Sequence, residues 1–302
     1  MDVLISGAGG LIGTALTRAL YAGGHRVVRL RRGEANHDDE VAWDPDGMHI
    51  DAPALEGLDA VVHLAGQSIG QHKWSDQEKR RILESRTKGT ALLVGAIATR
   101  EHKPSVLVSA SAIGYYGNRG TDVLTEESSP GIDFLAGVCQ QWEAAAAPAA
   151  EAGIRTVNLR TGIVLSAHGG ALSRMLLPFK LGLGGRLGSG EQYMSWVSLD
   201  DEVGAIVHAL THPDVRGPLN ATGPNPVTNA EFTRTLGNVL RRPTALPTPL
   251  APLRLVYGGE LVQSLLLFSQ RVQPAKLRAT GYDFRHPSLE AALRAVLGRP
   301  VA

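Results

Sequence analysis

Val3-Leu4-Ile5 is a short unbroken apolar run, and Gly7-Ala8-Gly9-Gly10 follows almost at once. Beyond the glycines, Leu11, Ile12, Ala15, Leu16, Ala19 and Leu20 recur at helical spacing, so the chain opens as strand, tight turn and helix. Gly23-Gly24 ends that helix, and Arg26-Val27-Val28-Arg29-Leu30 starts a second apolar run. Ala60 to Leu64 and Ser105 to Ser109 are two further strand candidates, separated by a long helical stretch from about Asp76 to Arg100; Thr156 to Leu159 is a fifth. Strands of this kind alternating with helices predict βαβ units and a parallel sheet covered on both faces. The fold class is therefore α/β, a Rossmann-type doubly wound parallel sheet.

After about residue 165 the rhythm changes. Gly169-Gly170, Gly182, Gly184-Gly185, Gly188 and Gly190 break the chain into loops, and prolines 243, 247, 249 and 252 mark a connection before a helical stretch from Leu253 to Phe268. We expect a dinucleotide-binding domain over 1–165, rejoined by about 196–212. A smaller, mostly C-terminal substrate lobe then spans 166–302. In that lobe Gly182 to Tyr193 reads as a mobile flap carrying Arg186, and Trp196 as the floor of a cleft. Arg160 and Lys73 are candidate attractors of an anionic group. Asp200-Asp201 reads as a helix N-cap and first-turn acid ahead of Val203, Ile206 and Val207.

Composition narrows the function. The chain has 302 residues, 43% hydrophobic and 20% charged, which excludes wholesale disorder. With 30 Lys+Arg against 29 Asp+Glu and no long basic block, nothing marks a nucleic-acid backbone or a membrane surface as partner. No apolar run approaches the roughly 18 residues of a spanning helix. The single cysteine, Cys139, suits a reducing compartment, and the start, with Asp2 and four glycines by Gly13, does not read as a signal peptide. The expectation is a cytoplasmic protein. Cys139 itself has no base or cation placed beside it and reads as buried apolar filling. Ten histidines form no ligand cluster, so no catalytic metal is expected.

Glycine is the compositional excess, 35 of 302 residues against about 7% on average. Gly7, Gly10 and Gly13 form G-x-x-G-x-x-G between a strand and a helix. There the backbone bends sharply, approaches a pyrophosphate, and offers it free N–H groups at a helix N-terminus. The residues of this turn are Gly7, Gly9, Gly10, Leu11, Ile12 and Gly13. Cofactor choice is made at the end of the second strand, where an acid holds a ribose 2′-hydroxyl and a cation meets a 2′-phosphate. Here Arg31-Arg32 stand at that end and the nearest acid, Glu34, comes two residues late. NADP(H) is the cofactor these residues favour.

Several stretches resemble a known family. Gly7 to Gly13, His63-Leu64-Ala65-Gly66 and Tyr116-Gly117 are similar to the extended short-chain dehydrogenase/reductases. More narrowly, the sequence resembles their atypical, epimerase-like subgroup often called YfcH-like, which carries its own C-terminal domain of unknown function (DUF1731), here about 248–298. The matching stretches are Lys73-Trp74-Ser75, Ile82 to Arg86, Ser109 to Gly117, Trp142-Glu143 and Arg160 to Leu165. They continue with Gly188 to Gly190, Ser195-Trp196-Val197, Asp200-Asp201, Gly259-Glu260 and Ser269 to Val272, and so cover almost the whole chain. The resemblance implies that Ser6 to Gly13 hold the pyrophosphate, Arg32 the 2′-phosphate, and His63, Leu64, Ala65 and Gly66 the wall behind the adenosine. One departure is local: relatives often read Thr-Gly-Gly-Thr-Gly where this chain reads Ser6-Gly7-Ala8-Gly9-Gly10, so Gly9 lacks a hydroxyl. The resemblance also allows a homodimer through the long helices near 76–100 and 133–150.

The family's catalytic pair is missing. Short-chain dehydrogenases use Tyr-x-x-x-Lys on one helix, where the lysine charge pulls the phenol towards working pH. The six tyrosines here are followed four positions on by His25, Arg119, Gly120, Val197, Leu261 and His286. With Glu143 aligned to the acid that often follows the family's lysine, Leu135 and Cys139 stand at the tyrosine and lysine positions. What is left for proton transfer is the loop after the fourth strand. Ser111 matches the family's catalytic serine, and Tyr115 or Tyr116 can supply a phenol, or both can serve as aromatic packing. Two readings stay open: an NADP(H)-dependent oxidoreductase or nucleotide-sugar-epimerase-like enzyme on a small hydroxyl or carbonyl substrate, and a non-catalytic NADP(H)-sensing or interaction protein.

Overall fold

The computed structural model describes residues 1–300. In chain order it runs β1 (Asp2–Ser6), α1 (Leu11–Ala22), β2 (Arg26–Arg32), β3 (Glu40–Asp44), β4 (His49–Ile50), β5 (Ala60–His63), α2 (Asp76–Ala98), β6 (Val106–Ala112), β7 (Val123–Leu124), α3 (Phe134–Glu151) and β8 (Arg155–Thr161). There follow β9 (Ile163–Leu165), α4 (Gly170–Lys180), β10 (Tyr193–Met194), β11 (Trp196–Ser198), α5 (Leu199–Thr211), β12 (Gly217–Ala221) and β13 (Val227–Thr228). The chain closes with α6 (Asn229–Leu240), α7 (Leu250–Tyr257), α8 (Gly259–Val262), β14 (Arg271–Val272), α9 (Ala275–Ala279) and α10 (Leu289–Val296).

Eight strands make one sheet in the order β12-β8-β6-β5-β1-β2-β3-β4, parallel except for the β3–β4 edge pair. Val3, Ile5, Val27, Val62, Val108 and Leu159 point to one face and pack with Leu16 and Leu20 of α1 and Ile206 and Leu210 of α5. Leu4, Val28, Val61 and Leu107 point to the other, against Leu93 and Ile97 of α2 and Ala149 of α3. The central strands β1, β5 and β6 thus bury both faces, which is why their sequences are apolar at successive positions. β2 and β5 lie on opposite sides of β1. The strand order therefore reverses there, and a crevice opens at the C-terminal strand ends where such sheets place their ligands. β3 and β4 were not foreseen: Glu40-Val41-Ala42-Trp43-Asp44 alternates polar with apolar and buries only Val41 and Trp43.

The second half builds its own core from Leu165, Leu172, Phe179, Phe232, Leu236, Leu289 and Leu293, with Trp196 in the middle. Trp196 is 1% exposed and donates its indole N–H to the Asn225 carbonyl at 3.0 Å, so it fills this interior instead of flooring a cleft. The Gly182 to Tyr193 loop is packed where a mobile flap was expected. A Cβ on Gly185 would fall 1.7 Å from the Leu246 carbonyl oxygen, and Leu187 donates its N–H to Asn229 Oδ1 at 2.8 Å. The helical stretch expected over Leu253 to Phe268 is three short pieces, α7, α8 and a π-helical turn at Gln263–Leu267.

The two halves are laced together. α5 lies under the central sheet and β12 forms its edge beside β8, while β14 pairs with β7. Ser198, not Asp200, caps α5, accepting the Asp201 N–H at 3.0 Å. Asp201 turns inward. Its carboxylate accepts the N–H groups of Arg285 at 2.8 Å and His286 at 3.1 Å and so ties down the C-terminal segment.

Candidate cofactor and active site

The turn between β1 and α1 is built to keep side chains out. Gly7 has φ +69°, and a Cβ there would lie 3.0 Å from the Leu64 carbonyl carbon. At Gly13 a Cβ would lie 2.2 Å from the Gly7 carbonyl oxygen, so the first turn of α1 rests directly on the bend. Gly10 caps the helix without a side chain, and the first turn holds no acid. The N–H groups of Leu11, Ile12 and Gly13 are therefore left for an anion, favoured by the helix dipole. Gly9 has open space around its Cβ position.

Ser6 locks this turn to the end of β5. Its hydroxyl accepts the N–H groups of Leu64 at 3.0 Å and Ala65 at 3.1 Å, so its own proton goes to Nδ1 of His63 at 2.7 Å. His63 thereby carries its ring proton on Nε2. It is fully buried, edge-on to Trp43, and burial pushes its pKa down to about 4. The His63 side chain thus faces the interior and holds the loop from behind, while Ala65 and Gly66 themselves line the cleft.

That cleft, about 920 Å³, runs from Gly7, Ala8 and Gly9 past Ala65, Gly66 and Gln67 to Arg31 and Arg32, with Arg81 and Ser85 along one side. Arg31 is paired with Glu40 at 3.1 Å, and Arg29 with Asp39 at 3.0 Å. The Glu40 carboxylate is held below its ordinary range by the Asn36 N–H, with Arg31 and Arg29 adding to it. Arg32 is exposed and makes no ion pair among the described residues. Of the two arginines at the strand end, then, one is occupied and one is free.

At the C-terminal end of β6 the loop from Ser111 meets α3 and β8. Leu135, Cys139 and Glu143 follow one another at four-residue intervals along α3, on the face turned to this loop. The Cβ position of Gly114 lies 3.4 Å from Leu135 Cβ and 3.7 Å from Cys139 Sγ. Ser111 donates its hydroxyl to Glu143 Oε1 at 2.7 Å. Arg160 grips the same carboxylate with Nε at 2.8 Å and Nη2 at 2.9 Å. Its guanidinium lies 3.4 Å from the centre of the Tyr115 ring, a stacked cation–π contact. Burial works against the Arg160 charge, and Glu143 outweighs it, leaving its pKa raised. Arg160 is 3% exposed, so this cation is committed inside the protein and does not serve as an attractor of substrate. Lys73 stays exposed beside Gly258.

The two tyrosines part ways. Tyr116 is fully buried; its hydroxyl donates to Asn220 Oδ1 at 2.6 Å and accepts from Arg160 Nη1 at 3.0 Å. Burial pushes it up to about 12 despite Arg160. That phenol is a strut. Tyr115 is half-buried and its hydroxyl makes no hydrogen bond among the described residues. Cys139 is a buried thiol that burial pushes up to about 12.

Sequence reasoning missed two carboxylates. Glu143 entered only as an alignment marker, although its place eight residues after Leu135 puts it on the same helix face. Glu202 was not singled out: it is fully buried at the start of α5, accepts the Thr161 hydroxyl at 2.8 Å, and leaves Oε2 without a partner. Burial pushes its pKa up to about 8.

Comparison with known proteins bears on this geometry. The model of the NAD dependent epimerase/dehydratase family matches residues 3–221, and that of the domain of unknown function DUF1731 matches residues 248–296. The chain is 45% identical over 298 residues to the epimerase family protein Mb2239 of Mycobacterium bovis, covering 99% of this chain and 98% of that one. It resembles the crystal structure of human epimerase family protein SDR39U1 (isoform 2) with NADPH, at TM-score 0.89, 36% identity and 99% coverage of both chains. A nucleoside-diphosphate sugar epimerase from Corynebacterium glutamicum matches at TM-score 0.82 and 38% identity, over 99% of this chain and 58% of that one.

Proposed function

Since the chain belongs to the NAD dependent epimerase/dehydratase family and carries its DUF1731 domain, we propose that it is an NADP(H)-binding, atypical short-chain dehydrogenase/reductase. It acts as an oxidoreductase or nucleotide-sugar-epimerase-like enzyme on a small hydroxyl or carbonyl substrate. The observation that carries the cofactor assignment is the free Arg32 beside a side-chain-free turn, with Glu40 already taken by Arg31. The likeness to a human relative crystallised with NADPH supports the same choice. In this reading Gly7 to Gly13 hold the pyrophosphate, Arg32 the 2′-phosphate, and Leu64, Ala65 and Gly66 back the adenosine. Bound there, NADP(H) supplies two-electron oxidation or reduction at an oxygen-bearing carbon.

Ser111 and Tyr115 take the substrate side. In this reading Ser111, itself only 4% exposed, gives its own proton to Glu143 and offers its lone pairs to a substrate hydroxyl that reaches it. A proton leaving that hydroxyl passes to Ser111 Oγ as the serine proton passes to Glu143. Arg160 holds Glu143 in place, and Tyr115, stacked on Arg160, supplies the one free phenol of the loop. Tyr116 belongs to the scaffold. A second reading, non-catalytic NADP(H) sensing, is favoured by one observation: no lysine stands four positions after any of the six tyrosines.

A turnover screen separates the two. The purified protein with NADPH is offered aldehydes, ketones and nucleotide sugars, and the reverse reaction is offered the matching alcohols with NADP. We expect turnover that falls at least about 100-fold in Ser111→Ala and in Tyr115→Phe, with NADPH affinity unchanged. Activity unaffected by both changes would remove the chemistry from this loop.

A further inference from the structure

The net charge of +1 for the chain conceals a segregation. Residues 170–190 and 232–259 contain seven Lys and Arg and no Asp or Glu, which leaves −6 for the rest; the exposed Glu191, Glu231 and Glu260 stand at their borders. These two segments are neighbours in the fold. Arg242 donates to the Lys180 carbonyl at 2.7 Å, and Thr248 donates its N–H to the Arg186 carbonyl at 2.9 Å. None of the seven cations has an acidic partner among the described residues.

The same segments expose apolar side chains. Leu177, Leu181, Leu183, Leu246, Leu255 and Val256 are each more than 60% exposed, six of the seven large hydrophobics so placed among the described residues. None of the eight residues of α7 is buried. A helix that lies on a protein surface without burying a residue has gained little from the fold it sits on.

We propose that segments 170–190 and 232–259 form a docking surface for the headgroup layer of a membrane containing anionic lipid, with these leucines inserting shallowly. Cations beside exposed leucines match the two halves of that layer, charge outside and acyl chain within. No helix among the described residues is long and apolar enough to cross a bilayer, so the contact is peripheral. A second copy fits less well, because a two-fold contact would set this positive surface against itself. A nucleic acid would use the cations and leave the six apolar side chains in water.

The test is co-sedimentation of the full chain with vesicles of equal parts phosphatidylcholine and phosphatidylglycerol, against phosphatidylcholine alone. We expect pelleting with the anionic vesicles only, weakened by salt. Lys180→Ser with Arg254→Ser, and separately Leu181→Ser with Leu255→Ser, should each weaken it at least about tenfold. All four side chains are exposed, and unchanged NADPH binding and thermal unfolding confirm that the variants fold. Failure to pellet with anionic vesicles, or pelleting that neither variant alters, overturns the proposal. So does retention on RNA without vesicle binding, or a dimer in solution that the leucine variant dissociates while pelleting is unchanged.

Discussion

Glu143 and Arg160 should behave as one unit. Replacing Glu143 with leucine removes the acceptor of Ser111 and of two Arg160 nitrogens. It leaves a guanidinium 3% exposed, with only the Tyr116 hydroxyl and the Glu126 carbonyl as partners. An uncompensated buried charge of this kind costs about 3–5 kcal/mol. Arg160→Leu leaves Glu143 with Ser111 and a side chain 12% exposed, so its cost is smaller, about 2–4 kcal/mol. The double variant has no stranded charge, so its cost should not exceed that of Glu143→Leu alone. The coupling between the two sites is then at least the cost of Arg160→Leu, about 2–4 kcal/mol. Urea unfolding followed by tryptophan fluorescence measures all four corners of the cycle, and Trp142 lies next to Glu143. Costs that add to within about 0.5 kcal/mol would show that the pair is not coupled and refute the account of this network.

Three further outcomes follow from the same geometry. Glu202 is pushed up to about 8 from an ordinary 4.5, so the folded state holds a proton that the unfolded chain releases, and stability falls as pH rises from 4.5 towards 8. Glu202→Gln abolishes that slope and is the more stable by about 3 kcal/mol at pH 7, the gap closing near pH 4.5; parallel unfolding profiles for the two proteins against pH would contradict this. In Gly13→Ala the methyl meets the Gly7 carbonyl, so the turn must open and NADPH affinity should drop at least about tenfold, whereas parental affinity in a titration would place the pyrophosphate elsewhere. Tyr116→Phe strips partners from Arg160 and Asn220 and costs about 1–3 kcal/mol in urea unfolding while kcat holds; a lost kcat with intact stability would return this phenol to the chemistry.

The parallel sheet was legible because strands buried on both faces are apolar at successive positions, as Val3-Leu4-Ile5 and Ala60-Val61-Val62 are. The phosphate turn was legible for a similar reason, since Gly7 and Gly13 occupy places where a Cβ has no room. What stayed hidden depends on distant partners. Arg31 and Arg32 are equivalent in sequence, and only Glu40 on the neighbouring strand distinguishes them. Tyr115 and Tyr116 are adjacent, yet one faces Asn220 from a strand a hundred residues on and the other does not. Trp196 carries no local mark of its burial among α4, α6 and α10. Whole-chain charge hid a segregation along the sequence, because +7 on two segments and −6 on the rest sum to nearly nothing.

The preference for NADP(H) rests on the free Arg32 at the end of β2. Titration of the purified protein with NADPH and then NADH, read by nicotinamide fluorescence and tryptophan quenching, tests it most directly. Binding is expected with a clear NADPH preference that Arg32→Ala lowers by about tenfold or more, with NADH affinity left where it was. Equal affinity for the two cofactors, or a preference that survives Arg32→Ala, would contradict it.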